Sequence, residues 1–260
     1  MNDRVTMTVS DGIADVRLVR AGRMNALDPA MFATLATTID ALAGRRDVRV
    51  AVLSGEGRAF CAGLDMESMA TGGSGIRLDE RTHGLSNDVQ YVCTGWRMLP
   101  MPVIAAAHGV AMGGGFQLLA GADIRIAHPD TRMAIRETMW GLVPDMGGFA
   151  LWRNTVREDV LRELVYTSRE FTGTQAHGHG FVTHLADDPY AHAMTLAQEI
   201  AARSPDAVRA CKRLFAVMGD GDGAAILRAE SAEQAALLGS PNQREAVATG
   251  LARRPAGFTD

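Results

Sequence analysis

The sequence has very little lysine: Lys212 is the only one among 260 residues, and the remaining basic charge is arginine. A phosphate-binding loop needs the pattern GK[ST], and no glycine precedes Lys212. No G-x-G-x-x-G pattern follows the first predicted strand, and no G-x-S-x-G pattern occurs. These absences exclude a phosphate-binding loop, a dinucleotide-binding fingerprint and the nucleophile elbow of a serine hydrolase.

Cysteine is also scarce, and the three cysteines form no CxxC pair, which favours a reduced, cytoplasmic setting. His177 and His179 form an H-x-H pattern without a third ligand nearby, so we expect no metal site. No apolar run reaches 18 residues and the N-terminus has no apolar segment, so we expect neither a membrane span nor a signal peptide. A net charge of -4 gives no reason to expect nucleic acid or an anionic membrane as a partner.

The remaining composition, 47% hydrophobic and 22% charged residues, is typical of a soluble globular protein. Alternating residues around Asp11 and Gly12 predict a β-hairpin over residues 4–19. Asp28 as N-cap, with Pro29 in the first turn, predicts the start of a helix. Short apolar runs predict buried strands at residues 49–54, 103–109 and 122–128. Strands separated by helices favour an α/β fold with a parallel sheet covered by helices.

Two further stretches of the chain, residues 66–90 and the part from Arg157 onward, have different patterns. Residues 66–90 are polar and rich in glycine, which predicts a surface segment. From Arg157 onward the apolar spacing is helical, with one short β-like interruption near HGFVTHL. The chain therefore divides into an α/β first part and a helical tail.

Three glycine-containing segments are candidates for a functional site: residues 60–65 (FCAGLD), 113–115 (GGG) and 140–148 (WGLVPDMGG). Glycine lets a backbone N–H approach a ligand closely, and the N-terminus of a helix leaves N–H groups unpaired. Two such N–H groups aimed at one point form an oxyanion hole. Each segment alone is also a common kind of turn, but the three together are more specific.

FCAGLD, then AAAHGVAMGGGFQLLAGADIRIA, then RETMWGLVPDMGG, in this order, resemble the crotonase superfamily, also called the enoyl-CoA hydratase/isomerase family. RMNALD near the start and TGTQAHGHGFVTHL extend the resemblance over nearly the whole chain. The resemblance implies a crotonase (ClpP-like) ββα spiral core over residues 1–200 and a helical region over residues 201–260 that assembles a homotrimer, often doubled to a hexamer. It implies acyl-CoA thioesters as substrates. Coenzyme A is then part of the substrate, and no separate cofactor is expected.

The resemblance also implies the site residues. The backbone N–H groups of Leu64 and Gly114 are expected to hold the thioester oxygen, where two fixed donors stabilise the negative charge of an enolate. Because backbone supplies both donors, the Leu64 side chain is free to vary, whereas Gly114 must stay small.

Coenzyme A is expected to lie along the first segments of the chain. By resemblance, Arg23, Ala26, Ala62 and Asp65 lie near it. Arg23 is expected either to pair with a phosphate or to be an ordinary solvated arginine. Phe258 and the arginines near the C-terminus are expected to reach the nucleotide of a neighbouring subunit.

Hydratases of this family carry two glutamates beside the substrate double bond. Gln117 occupies the first of these positions and Glu137 the second. Glutamine forms hydrogen bonds but does not transfer a proton at neutral pH. Asp145 is a candidate second acid by resemblance to dienoyl-CoA isomerases, or else an N-cap for a helix beginning near Met146. The alternative for Glu137 is a surface salt bridge with its neighbour Arg136.

The retained Glu137 beside Gln117 favours double-bond isomerisation of an unsaturated acyl-CoA, with Glu137 as the proton shuttle. The alternatives are hydration of an enoyl-CoA with a water held by Gln117, and a CoA-thioester binding protein with little activity. Trp140 either lines the acyl pocket or belongs to the core.

Overall fold

The computed structural model describes residues 4–65, 67 and 78–260. The described strands are β1 (Val5–Ser10), β2 (Ile13–Leu18), β3 (Val50–Gly55), β4 (Val103–Ala107), β5 (Val110–Met112), β6 (Ile124–Ala127), β7 (Arg132–Ala134), β8 (Phe171–Thr172) and β9 (His184–Leu185). They form two sheets, a larger one of order β1-β2-β3-β4-β6-β9 and a smaller one of order β5-β7-β8.

The larger sheet begins with the predicted hairpin and continues as a parallel sheet. Ser10 pairs with Ile13 across a turn in which Asp11 and Gly12 both have positive φ, the conformation that matches the twist of a hairpin. β3 and β4 are buried almost throughout, as expected of parallel strands covered on both faces. The predicted hairpin over residues 4–19 and the α/β class are therefore confirmed.

The smaller sheet begins where the predicted strand over residues 103–109 proves too long. β4 ends at Ala107, and the chain turns before it enters β5. Gly109 permits this turn because its φ is +63° and a Cβ there would collide with the carbonyl oxygen of Arg58. The prediction of one strand to residue 109 was wrong, since a continuous apolar run does not show where a chain leaves one sheet for another.

The described helices include the predicted helix after Asp28 and the predicted series after Arg157. They are α1 (Pro29–Ala43), α2 (Asp88–Met98), α3 (Gly114–Ala120), α4 (Gly148–Trp152), α5 (Glu158–Thr167), α6 (Gly173–His179), α7 (Pro189–Ala201), α8 (Pro205–Asp220), α9 (Gly223–Leu237) and α10 (Pro241–Ala252). Asp28 is the N-cap of α1, as predicted, and its Oδ1 accepts a hydrogen bond from the N–H of Met31 at 2.8 Å. Among the described residues, no helix has both the length and the hydrophobicity of a membrane span.

The larger sheet separates two apolar cores. Along β3, Ala51 and Leu53 belong to one core, whereas Val50 and Val52 belong to the other. Successive side chains of a strand point to opposite faces of the sheet, so the two cores lie on opposite sides. The second core includes three alanines of α7, whose small side chains bring that helix close to the strands: Ala193, Ala197 and Ala201.

The predicted surface segment over residues 66–90 lies partly outside the described residues. Its end is described, and it differs from the prediction because Asn87 is the N-cap of α2, which begins at Asp88. The Asn87 side chain accepts from the N–H of Gln90, and the Gln90 side chain accepts from the N–H of Asn87. This reciprocal capping box is a start signal that the polar composition of the segment concealed.

The C-terminal helices leave many apolar side chains exposed. All of α9 lies within the described residues, and none of its residues is buried. The exposed large apolar residues of this region are Phe215, Met218, Leu227, Leu238, Val247 and Leu251. The end of the chain returns to the larger sheet, where Arg49 forms an ion pair with Asp260 at 2.7 Å. α9 and α10 therefore have little core of their own, although the tail is attached to the sheet.

Asn25 connects the segment after β2 to the loop after β3. The residue is fully buried and has a φ of +55°. Its Oδ1 accepts from the N–H of Arg20 at 2.9 Å, and its Nδ2 donates to the carbonyl oxygens of Glu56 and Ala59 at 3.0 and 2.9 Å. The backbone carbonyl of Asn25 also accepts from Sγ of Cys61 at 3.1 Å. Asn25 therefore fixes the position of residues 60–65.

Replacing Asn25 by alanine is expected to destabilise the protein by about 2–4 kcal/mol. The change leaves buried backbone groups without partners and removes a side chain that tolerates positive φ. Urea unfolding measures the loss. The control is Thr37→Ala, which removes an exposed hydroxyl bonded within α1 and should cost about 0.5 kcal/mol or less. Equal stability of the two variants would contradict this role of Asn25.

Candidate active site

A cavity of about 320 Å³ lies where the three glycine-containing segments meet. All three predicted segments contribute to its walls, and so does the edge of the smaller sheet. The lining residues include Ala62, Leu64, Gly114, Glu137, Trp140 and Leu142. A concave, mainly apolar cavity with a few polar groups is the usual form of a small-molecule site.

Two residues of the cavity wall, Leu64 and Gly114, have backbone N–H groups with no acceptor among the described residues. The chain is held on both sides of Leu64, because the Gly63 carbonyl accepts from Leu27 N and the N–H of Asp65 donates to the Leu27 carbonyl. The N–H of Leu64 donates to no other described residue. Gly114 is the first residue of α3, where the N–H has no partner within the helix, and it too has no acceptor in the described chain. Leu64 and Gly114 are the two residues whose N–H groups the resemblance implied as donors, and that role stays a prediction.

The three consecutive glycines each have a steric reason. Gly113 has a φ of +49°, which a side chain disfavours. A Cβ on Gly114 would lie 2.7 Å from Sδ of Met146, and a Cβ on Gly115 would collide with the carbonyl oxygen of Cys61. Side chains at these positions would therefore push the start of α3 away from residues 60–65.

Glu137 is a carboxylate in the cavity wall that lies beside Gly113. It begins a short 3-10 helix, Glu137–Trp140, and is 6% exposed. Its Oε1 accepts from Nε2 of Gln117 at 2.6 Å, while its buried Oε2 has no partner among the described residues. The alternative of a surface salt bridge with Arg136 is wrong, since Arg136 pairs with Glu170 at 2.9 Å.

Burial raises the pKa of Glu137, because removal from water disfavours the charged form. The backbone N–H of Glu137 itself and the hydrogen bond from Gln117 oppose this rise in pKa, whereas the negative charge of Asp145 adds to it. Burial also raises the pKa of Asp145. A carboxyl group whose pKa is raised towards neutral pH is suited to exchange protons with a substrate.

Gln117 forms a hydrogen bond with Glu137 but is not among the residues that line the cavity. It is 1% exposed. Its Oε1 accepts from the N–H groups of Met146 and Gly148 at 2.9 and 3.1 Å. Both ends of the amide are therefore engaged: one holds Glu137 and the other holds the start of α4.

The structure does not support the interpretation of Asp145 as the N-cap of a helix. α4 begins at Gly148, its N-cap is Gly147, and no side chain of that N-cap residue takes part. The N–H of Gly148 is instead bonded to Gln117. The N-cap interpretation of Asp145 was wrong, because the side chain of Gln117, 31 residues away in sequence, occupies that N–H and the sequence does not show it.

The four residues expected near coenzyme A have different surroundings. Ala62 lines the cavity, and its N–H donates to the carbonyl of Met24. Ala26 is buried and Arg23 is exposed, with an ion pair from Arg23 to Glu67 at 2.9 Å. The buried carboxylate of Asp65 accepts from Arg20 at 2.5 Å, which ties this loop to the segment after β2.

Other predicted positions are also described. Trp140 lines the cavity and is largely exposed, so it is not a core residue. Phe258 is partly buried, and its carbonyl accepts from Arg49. Sequence reasoning missed Arg132 and Glu170, which line the cavity and form an ion pair at 2.7 Å. No local pattern marks these two residues, because β7 and β8 bring them together.

Two unpaired N–H groups and a buried carboxylate around one cavity define a class of site: one that can bind a carbonyl oxygen and move a proton beside it. The model of the enoyl-CoA hydratase/isomerase family matches residues 8–260. The chain belongs to this family of enzymes, the crotonase superfamily, as its motifs predicted.

Two curated relatives illustrate the range of the family. The mitochondrial enoyl-CoA hydratase domain-containing protein 2 of Homo sapiens is 35% identical over 208 residues, which cover 76% of this chain and 68% of that protein. The mitochondrial Delta(3,5)-Delta(2,4)-dienoyl-CoA isomerase of Homo sapiens is 29% identical over 210 residues, covering 77% and 64%. Family membership therefore leaves hydration and isomerisation both open, and the cytoplasmic location stays a prediction.

Solved structures confirm the crotonase fold. The enoyl-CoA hydratase from Bacillus anthracis superposes with a TM-score of 0.89 at 25% identity, covering 98% of this chain and 99% of that one. The enoyl-CoA hydratase from Mycobacterium tuberculosis H37Rv superposes with a TM-score of 0.86 at 28% identity, covering 98% of each chain.

Glu137→Gln is expected to stabilise the protein at pH 8. Because the pKa of Glu137 is raised on folding, the folded state binds this proton more tightly than the unfolded chain, and the carboxylate costs stability at high pH. The cost disappears as the pH falls below the ordinary glutamate pKa, where both states are protonated. Each unit of pKa difference corresponds to about 1.4 kcal/mol.

Urea unfolding from pH 8 down to the lowest pH at which the protein stays folded measures this effect. The gain should shrink steadily as the pH falls. Glu199→Gln, at an exposed position on α7, is the matched control and should show little change at any pH. A Glu137→Gln variant that is less stable than the parent at pH 8 would contradict the expected cost of the buried carboxylate.

Proposed function

We propose that the protein isomerises the double bond of an unsaturated acyl-CoA, with Glu137 as the proton shuttle. One observation carries the proposal. Glu137 lines the cavity together with Leu64 and Gly114, and its carboxylate oxygen Oε2 is buried and has no partner among the described residues. A 1,3-shift of a double bond needs one group that removes and returns a proton. It needs no second acid and no water.

In this proposal a 3-enoyl thioester reacts in two proton transfers. Glu137 takes a proton from C2, and the electrons of that C–H bond move towards the thioester carbonyl to form a dienolate. The N–H groups of Leu64 and Gly114 donate to the developing oxyanion. Loss of one such donor typically raises a barrier by about 3–4 kcal/mol. The electrons then return, C2 and C3 become doubly bonded, and C4 takes the proton back from Glu137, which ends as the carboxylate it was.

In this proposal Asp145 is a candidate for a second acid beside Glu137. It lies near enough for its charge to affect Glu137, and it is partly buried. A carboxyl group there would serve a substrate whose reacting carbons extend beyond the reach of Glu137 alone, such as a dienoyl thioester. Its role would be to carry a proton at the far end of the acyl chain.

Coenzyme A is assigned to the side of the cavity formed by Ala62 and the segment after β2. In this proposal Arg23 exchanges its exposed ion pair with Glu67 for a phosphate, which costs little because surface pairs are weak. Ala26 and Asp65 act by shaping the loop rather than through their side-chain charges, since Asp65 is already paired with Arg20.

Hydration is the second candidate, favoured by the names of the curated hydratases. It requires a positioned water, and the sequence suggested Gln117 as the group that holds it. The engagement of both ends of Gln117 with Glu137 and with backbone N–H groups disfavours that role. A CoA-thioester binding protein with little activity is the third candidate.

A panel of 3-enoyl-CoA, 2-enoyl-CoA and dienoyl-CoA thioesters separates these candidates. We expect conversion of 3-enoyl-CoA to 2-enoyl-CoA, and we expect Glu137→Gln to lower kcat by about 10²–10⁴, because general acid–base catalysis contributes that much. Chromatography of the acyl-CoA products is the measurement, with Glu199→Gln as the control outside the cavity.

Three outcomes would contradict isomerisation by Glu137. Unchanged turnover in Glu137→Gln would remove the shuttle. Formation of 3-hydroxyacyl-CoA from 2-enoyl-CoA, without isomerisation of 3-enoyl-CoA, would identify a hydratase. Binding of all three thioesters without turnover would identify a binding protein.

We also propose that residues 201–260 assemble a homotrimer, or a hexamer of two trimers. The support is the row of exposed apolar side chains on α8, α9 and α10, since large exposed apolar patches usually mark an interface. Light scattering after size-exclusion chromatography should give three or six times the 27.7 kDa of the chain.

Leu227→Glu should reduce this assembly because it places a charge on the exposed face of α9. Leu85→Glu, at an exposed leucine outside the C-terminal helices, is the matched control and should leave the assembly intact. A parent protein that elutes as a monomer would contradict the proposal.

A further inference from the structure

We infer that Gln117 is a positioning residue that holds Glu137 by Oε1 and leaves Oε2 as the single oxygen that takes up and returns the proton. The inference rests on the proposed function of Glu137 and adds a role for Gln117 that is neither water binding nor proton transfer. In this view Gln117 has a role of its own, because it positions Glu137 to act as the single group that transfers the proton.

The orientation of the Gln117 amide is fixed by its surroundings. Its Oε1 faces the backbone N–H groups of Met146 and Gly148, at 2.9 and 3.1 Å. Backbone N–H groups only donate, so a flipped amide would place its NH₂ against two donors and lose both bonds. Nε2 must therefore face Glu137, to whose Oε1 it donates at 2.6 Å.

This donor favours the charged form of Glu137 at the oxygen that it touches. The other oxygen, Oε2, is buried and has no hydrogen bond to any described residue. One oxygen of the carboxylate is thus anchored and the other is left without a hydrogen bond among the described residues. A carboxylate held in this way presents the same oxygen at the beginning and at the end of a proton shuttle.

The other titratable and charged groups around Glu137 do not replace this anchor. Asp145, on the turn before α4, raises the pKa of Glu137 by its charge. Cys93, on α2, is buried, and its own pKa is raised, so it stays an uncharged thiol. Arg136 precedes Glu137 but is engaged with Glu170. Gln117 is therefore the side chain that donates a hydrogen bond to Glu137 within the described residues.

A glutamate at position 117 would have the opposite effect. It could keep the two bonds from Met146 and Gly148 through one oxygen. Its other oxygen would lie about where Nε2 lies now, beside Glu137 Oε1. Two carboxylates so close do not both ionise, and the pair would share a proton. Glu137 would then lose its separate titration.

The test is the pH profile of kcat/KM for isomerisation of 3-enoyl-CoA by the chain of 260 residues. For the parent, kcat/KM should rise with pH as Glu137 ionises and then reach a plateau. Gln117→Glu should move this rise to higher pH by one unit or more, which means a tenfold or greater loss of kcat/KM on the acid side. Gln117→Met, which fills similar space without donor or acceptor, should move it in the same direction and lower kcat more than it changes KM.

Asp145→Asn is the matched control, because it removes the charge that raises the pKa of Glu137 and should move the rise to lower pH. Opposite shifts in the two kinds of variant would assign the rise to Glu137 and support the anchor. A Gln117→Glu or Gln117→Met profile that rises at the parent pH, in protein shown to be folded by urea unfolding, would overturn the inference. Activity in Glu137→Gln would instead overturn the proposed function, so the two failures are distinguishable.

Discussion

The close approach of two backbone segments is the constraint on which the site depends. The carbonyl of Cys61 accepts from the N–H of Met112 at 3.1 Å, and the next segment begins α3 directly against it. Gly63 and Gly115 lie at this contact, and a Cβ on either would meet the backbone of the opposite segment. Only this approach brings the N–H groups of two distant stretches of chain into one cavity. The arrangement is paid for in conformational freedom, since each glycine loses more backbone entropy on folding than other residues do.

The N–H groups alone would bind a carbonyl oxygen without moving a proton, so the position of Glu137 is the second requirement. Its carboxylate is withdrawn from water and stands beside Asp145, both of which disfavour its charge. Gln117 opposes these effects and at the same time satisfies two N–H groups at the start of α4. One amide therefore couples the electrostatics of the carboxylate to the position of the chain after Trp140. Such local cost to stability is common where function requires a poised group.

Much of this fold is predictable because its signals are local. The hairpin follows from the turn at Asp11 and Gly12, the start of α1 from Asp28, and the buried strands from short apolar runs. The two N–H donors and Glu137 followed from the resemblance of their motifs, and the structure places all three around one cavity. Their chemical roles stay predictions until the variants are assayed.

What sequence reasoning missed depends on contacts between distant parts of the chain. The helix that begins at Gly148 is capped by Gln117 rather than by Asp145, and no property of residues 140–148 indicates this. Arg132 and Glu170 reach the cavity because β7 and β8 pair, although neither lies in a recognisable motif. The direction of the Gln117 amide is set by two donors on another segment, whereas its identity as glutamine was plain from the sequence.

The cysteine behind the cavity wall has a chemical consequence of its own. Cys61 neighbours Ala62, which lines the cavity, and with the proposed acyl-CoA bound there a thiolate at this position could capture the acyl group and release free coenzyme A. Burial raises the pKa of Cys61 to about 12, and its Sγ donates to the carbonyl of Asn25. The sulfur therefore stays protonated and unreactive. If the protein acts on acyl-CoA as proposed, the same burial that packs the wall of the cavity would protect the thioester linkage from the protein's own nucleophile.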